Sequence, residues 1–408
     1  MRTDISDNSG KEQFKLKDLF VFSHFKFLGS WLDNGKIIVE LKRTAKTGQC
    51  CKCGKKKRKG IGLFKRSIRD LDIGGIPCFI EFEHLRIECS CGYRGMEKLE
   101  FCSRFARHTH RFEEHVVILC QFMTIKDVAK ETGLSWGTVK NIDKNEAKKY
   151  VVSLKDASPK KIGVDEIAHA KGHSYLTVVR DVDIGKVIWV GKDRKKETMD
   201  KFFEELGKER SKGIILAVMD MWDPYIASVK ENTNADIVFD KFHVAKKINE
   251  AIDKVRKKEF SDADKEEKKL MKKKRFIILK RNENLEDDKK EDLKELMKKN
   301  QNLYSAYLLK EHILGIMDEK RFEVALRRCG VWFKNVFRSG FKEFIEVANM
   351  MKRYWYGIKN YFKYQITNAC SEGFNNKINV IKRRAYGFRD LEYFAYKIIQ
   401  LCGNSSKN

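Results

Sequence analysis

The chain has 408 residues, with 85 Lys and Arg against 58 Asp and Glu, a formal net charge of +27 and 42% apolar residues. That apolar content excludes a disordered polyelectrolyte, and no uncharged apolar run reaches the 18 residues of a membrane-spanning helix. The charge makes a polyanion the first partner to consider.

Residues 1–35 read as a leader with one short apolar segment, 19–31, and no signal-peptide apolar region. Without an export signal, the eleven cysteines read as thiols or metal ligands rather than disulfides, and the expected setting is the cytoplasm, on DNA. Residues 36–100 alternate strand-like runs, KIIVEL and CFIEFEHLRIEC, with Gly-rich turns. Residues 36–70 carry 13 Lys/Arg and two acids, and 351–408 carry 11 and three, so basic charge gathers in two separate places. Residues 246–300 hold 20 Lys/Arg but also 14 acids, which reads as a solvated helical face.

Within the first basic stretch, Cys50-Cys51-Lys52-Cys53-Gly54 is followed by Cys89-Ser90-Cys91-Gly92. Two close cysteine pairs, each followed by Gly, have the form of two zinc knuckles, because four thiolates can enclose one tetrahedral ion. The expected ligands are Cys50, Cys53, Cys89 and Cys91, with Cys51 an open alternative to Cys50. The Lys55–Lys59 run between them is placed to meet phosphates.

Residues 103–155 read as helices. The run IKDVAKETGLSWGTVKNID has a small Ala129, a turn at Gly133 and inward Val139 and Ile142, the pattern of a helix-turn-helix. Ser135 is the expected N-cap of the second helix, and Trp136, Thr138, Lys140 and Asn141 are expected at or near its outer face. Of these, Ser135, Trp136, Thr138 and Lys140 are the candidate DNA contacts.

After Ser158-Pro159 the pattern changes to α/β: KIGVDEIAH, SYLTVVRDV and KVIWVG as strands, then a helix, IILAVMD, a second helix and ADIVFD. By pattern Asp165 and Asp220 each end a buried strand, where carboxylates can meet over a sheet edge and hold divalent ions for attack at phosphorus. Magnesium or manganese suits such an all-oxygen site. Asp240 in FDKFH is most simply a helix cap, with support of the metal-site residues or DNA positioning as the alternatives. His169, His173 and His243 show no metal-ligand spacing and read as core or surface residues. Residues 246–364 and the C-terminal stretch read as helical, with aromatic clusters (Trp332, Phe333, Phe337, Trp355, Tyr356, Tyr361, Phe362) that suit helix packing or, alternatively, base stacking.

The cysteine knuckles, RDLDIGG, the helix-turn-helix run, IGVDE, MDMWDPY, IVFDKFHV and NACSEGFNNKINVIKRRAYGFRD together resemble the insertion-sequence DDE transposases of the ISL-three type, over roughly residues 45–400. The resemblance implies an RNase H-like mixed sheet with flanking helices and a helical insertion. It places the three catalytic, metal-binding acids at Asp165, Asp220 and Glu372. The Asn-rich helix after Glu372 ends in Lys382, Arg383 and Arg384, expected to meet phosphates. The implied organisation is an N-terminal region with the zinc module over 1–102, a helix-turn-helix domain over 103–157, a first catalytic part over 158–245, a helical insertion over 246–364 and C-terminal catalytic helices over 365–408. The implied activity is Mg-dependent cleavage and strand transfer on double-stranded DNA, at transposon ends and in the target, by a homodimer or larger assembly with no membrane partner. A non-catalytic DNA-binding regulator and an RNA-directed nuclease-like protein are the rivals; the intact acids disfavour the first and the helix-turn-helix the second.

Overall fold

The computed structural model describes residues 15–56, 58–154, 156–170, 174–366 and 369–403, without the side chains of 170 and 369–372. His173 and Asn368 therefore lie outside the described residues, as does the Glu372 side chain. The chain forms two compact units, 1–146 and 147–408.

The first unit is built on one sheet. β1 (Phe25–Asp33) and β2 (Lys36–Arg43) form a hairpin, so the segment read as a leader supplies an edge strand. β3 (Thr47–Gly48), β4 (Arg58–Ile73), β5 (Ile76–Glu88) and β6 (Arg94–Met96) complete it, in the order β1-β2-β5-β4-β3 with β6 on β5. The long β4–β5 hairpin turns on Gly74 and Gly75, at φ 61° and 78°, a region that disfavours any Cβ. Phe25, Val39, Ile68, Ile80, Phe82 and Phe101 form the core beneath it.

Three helices follow: α1 (His110–Phe122), α2 (Ile125–Thr132) and α3 (Trp136–Ser153). The RDLDIGG motif ties α1 to the sheet. Asp70, 1% exposed, accepts from Thr109 Oγ1 at 2.6 Å and pairs with Arg111. Thr109 in turn caps α1 by accepting from the Phe112 amide. Its hydroxyl thus satisfies an otherwise orphaned donor at the helix start.

The second unit holds a five-stranded sheet of order β11-β10-β7-β8-β9. β7 (Lys161–Ala170), β8 (Ser174–Asp181) and β9 (Lys186–Lys192) run as an antiparallel meander. After α4 (Lys196–Leu206) and α5 (Lys208–Lys212), β10 (Leu216–Met219) returns to pair parallel with β7. α6 (Asp223–Asn232) then leads to β11 (Asp236–Phe239), parallel to β10. The four-residue strands LAVM and DIVF carry almost no polar atoms outside the backbone, as expected of strands covered on both faces.

A helical body follows β11, as the proline-free stretch predicted. It comprises α7 (Lys241–Asp262), α8 (Lys265–Met271), α9 (Arg275–Leu279), α10 (Asp287–Lys299), α11 (Gln301–Met317), α12 (Phe322–Ser339), α13 (Lys342–Arg353) and α14 (Trp355–Tyr364). Its aromatics are chiefly packing. Trp332 is fully buried with Nε1 donating to the Leu309 carbonyl, and Tyr361 donates its hydroxyl to the Met317 carbonyl. Phe337 and Tyr356 are the exposed members of the group. The chain closes with α15 (Ala369–Arg384) and α16 (Leu391–Gly403). Ile378 and Ile381 of α15 and Phe394, Ile398 and Ile399 of α16 pack on Ile167, Leu176, Val178 and Val187 of the meander. The last helices thus return to the sheet from which the helical body departed.

Candidate functional site

The knuckles form as their glycines predict. Gly54 and Gly92 sit at φ 73° and 81°, and their amides donate to the carbonyls of Cys50 and Cys89, closing two tight turns. The turns bring the Cys50, Cys53, Cys89 and Cys91 sulfurs within 4.8 Å of one another. Cys50 lies 3.7 Å from Cys91 and Cys53 lies 3.6 Å from Cys89. Cys51 is exposed and its thiol donates to the Met96 carbonyl, so Cys50 is the converging member of the pair. The narrow CxC spacing reaches the cluster because β5 delivers Cys89 directly and the Gly92 turn swings Cys91 back. Hydrogen bonds from the Cys91 amide and from the neighbouring thiols, against burial, bring Cys89 down to about 6. Cys91 is held up at about 11 by burial and the other thiols, against the Tyr93 amide. Four sulfurs competing for few protons are a donor set compatible with zinc.

The helix-turn-helix also forms. Thr124 caps α2 by accepting from the Asp127 amide, and Gly133 ends it at φ 68°. Ser135 caps α3 by accepting from the Thr138 amide at 3.1 Å, as expected. Val128 and Val139 are fully buried, with Ala129, Leu134 and Ile142 packed beside them. Ser135, Trp136 and Asn141 are exposed, whereas Thr138 and Lys140 are half-buried, with Lys140 Nζ 5.7 Å over the Trp136 ring.

The carboxylates depend on strand register. Leu216 of β10 is level with Lys161 of β7 and with Asp236 of β11. Four residues further along each strand direction stand Asp165, Asp220 and Asp240, on three neighbouring strand lines. Asp220 follows the last residue of β10, as predicted. Asp165 does not end its strand: it lies mid-β7, opposite Val178 of β8. β10 is much shorter than β7, so β7 continues past its parallel neighbour and Asp165 still stands where that pairing has stopped.

Asp165 is half-buried. Its Oδ1 accepts from the Glu166 amide at 2.8 Å and its Oδ2 from Asn375 Nδ2 of α15 at 2.9 Å. Burial, and then the charge of Asp220, push Asp165 above the ordinary carboxylate range. Asp240 is 5% exposed, caps α7 through the Phe242 amide at 3.0 Å, and is also pushed up by burial. On the first turn of α7, His243 sets Nε2 2.6 Å from Asp220 Oδ1, and this bond raises its pKa. His243 thus joins the candidate site, a placement that spacing did not reveal. His169 stands at an irregularity between β7 and β8. Glu372 stands three positions before Asn375 on α15. At the far end of that helix Lys382 donates to the Ala168 carbonyl at 2.9 Å, Arg383 is exposed and Arg384 half-buried.

Comparison with known proteins identifies the family. A family model described as Transposase, for the DDE domain of ISL3, matches residues 162–398. A second, the helix-turn-helix domain of transposase family ISL3, matches residues 97–147. The transposase for insertion sequence element IS1001 of Bordetella parapertussis is 32% identical over 90% of this chain and 92% of its own length. The transposase for IS1557 of Mycobacterium tuberculosis is 28% identical over 91% of this chain and 90% of its own. No helix among the described residues is long and apolar enough to cross a membrane. With a formed helix-turn-helix, a cysteine cluster compatible with zinc and carboxylates aligned on adjacent strands, the chain belongs to the ISL3 family of insertion-sequence transposases.

Proposed function

We propose that the protein cleaves DNA at the ends of an insertion sequence and joins the freed ends to target DNA, with Asp165, Asp220 and Glu372 as its catalytic carboxylates. The observation that carries this reading is the shared level of Asp165 and Asp220, with the Asn375 amide of α15 bonded to the first of them. Glu372 stands one helical turn before Asn375, the spacing at which helix positions neighbour one another. The strand order, an antiparallel meander extended by two parallel strands beside its first, supports an RNase H-like catalytic domain.

Divalent magnesium or manganese fits the donor set. The carboxylates offer hard oxygen ligands, and Asp165 is pushed up by burial and a like charge that a cation would relieve. When bound, such ions would neutralise charge at phosphorus and promote ionisation of the attacking hydroxyl. The chain's own side chains set the geometry. Asn375 and the Glu166 amide fix both oxygens of Asp165, and His243 fixes Asp220. In the first step a water oxygen bonds to phosphorus and the 3′-oxygen departs, leaving a 3′-hydroxyl and a 5′-phosphate. In the second, that 3′-hydroxyl attacks a target phosphodiester and displaces the target's 3′-oxygen. DNA recognition would rest on α3, with Ser135, Trp136, Thr138 and Lys140 near the major groove, and on Lys382, Arg383 and Arg384 as phosphate contacts. Synapsis of two ends would require a dimer or larger assembly.

The test is incubation with end-containing duplex and magnesium. Asp165→Asn, Asp220→Asn and Glu372→Gln should each abolish cleavage and retain end binding. A Glu372→Gln protein that still cleaves would remove Glu372 from the set and make Asp240 the next candidate.

A further inference from the structure

Beside the carboxylates lies a cavity of about 660 Å³ between the β9–α4 and β10–α6 connections. Tyr175, Arg194, Lys195 and Trp222 line it. It adjoins the site through the chain and through an ion pair: Trp222 is two residues from Asp220, and Arg194 Nη1 lies 3.1 Å from Oε1 of Glu166, the neighbour of Asp165. Its aromatic walls are anchored. Trp222 Nε1 donates to the Arg194 carbonyl at 3.0 Å, and the Arg194 guanidinium lies 4.3 Å from the Tyr175 ring centroid and 4.6 Å from that of Trp222. The cationic charge is uneven. Lys196 is engaged by Asp200 and Glu231, whereas Lys195 is exposed at the rim.

A DNA strand with its scissile phosphate at Asp165 and Asp220 must continue past them on either side. The cavity has the size of a small-molecule site, large enough for one nucleotide and too small for a duplex. Its acids, Asp193, Glu197 and Asp223, disfavour a free polyphosphate, and Asp223 is already bonded by the Tyr354 hydroxyl at 2.9 Å. A flat, neutral base against the aromatic wall, with its single phosphate at the cationic rim, satisfies both features. We infer that this cavity receives one unpaired nucleotide of the strand flanking the scissile phosphate, with the stacked Tyr175, Arg194 and Trp222 as its flat wall and Lys195 as its phosphate contact. The inference rests on the proposed cleavage at Asp165 and Asp220.

The experiment compares binding of the full chain to two end duplexes, one fully paired and one mismatched at the nucleotides flanking the cleavage position. Because the mismatch removes the cost of unpairing, wild type should prefer it by about tenfold, the scale of one base stacked on an aromatic ring. Trp222→Ala and Arg194→Ala should abolish that preference, and Trp222→Phe, which keeps a ring in the wall, should retain part of it. The ratio of two affinities measured on one protein is insensitive to the fraction that is folded. A wild type without the preference, or a Trp222→Ala protein that keeps it, overturns the subsite. Preference without cleavage would sink the proposed reaction alone, and cleavage without preference would sink the subsite alone.

Discussion

Arginine can only donate hydrogen bonds, so His84 Nδ1, 2.9 Å from Arg66 Nη1, must accept. The proton therefore sits on Nε2, which donates to the Glu97 carbonyl at 3.1 Å. Full burial, with the Arg66 charge beside the ring, lowers His84 from 6.5 to about 4. The folded ring stays neutral while the unfolded one protonates near its ordinary value. The stability contributed is complete above pH 6.5 and falls as pH drops toward 4, by about 3 kcal/mol in all. Urea midpoints between pH 7 and 4.5 should show the loss, and His84→Gln should show a flatter profile. Any metal release from the cysteine cluster would follow the same direction in both proteins, so their difference isolates the histidine. His243 acts elsewhere, holding Asp220 in place. His243→Ala should leave end binding intact and cost 10–100-fold, on the order expected for groups that orient metal ligands, in the magnesium dependence of cleavage. Unchanged dependence would mean that Asp220 keeps its orientation without the imidazole.

At the scale of elements, α3 and the Lys55–Lys59 run offer two kinds of DNA contact. An exposed residue at the start of α3, such as Trp136, can discriminate bases, with good contacts worth about 1–3 kcal/mol each. Exposed lysines of the run are proposed to neutralise phosphates. Trp136→Ala should narrow the affinity gap between end and unrelated DNA. Lys55→Ala and Lys56→Ala should each weaken binding to all sequences and reduce the salt slope by about one. Equal losses on every DNA from both sets would contradict this division. The same elements show what pattern alone could reveal. The knuckles, the α2–α3 turn and the short buried strands were legible because each rests on local chemistry: glycine at positive φ, a Ser cap, continuous apolar runs. Strand length against a neighbour is not local. Asp165 therefore read as a strand end when it is a mid-strand residue left beyond β10. His243 was missed because its partner, Asp220, is on another element and is reached only after register sets Asp220 beside Asp240. Thr138 and Lys140 were expected outward, yet the packing around Val139 leaves them half-buried.

For the whole molecule, the order of parts along the chain matters as much as their folds. The first unit, 1–146, contains the cysteine cluster and the start of α3. The carboxylate pair comes next, then the helical body, and only then α15 with Asn375 and Glu372. Synthesis runs from the N-terminus and domains generally fold as they emerge. A nascent or prematurely terminated polypeptide ending in α14 would therefore have its DNA-binding elements and two aspartates, but neither the amide that fixes Asp165 nor the third proposed acid. Such a fragment could occupy an element's end without cutting it. On the proposed reaction, translation length alone would separate an end-cutting protein from a competitor that only binds ends.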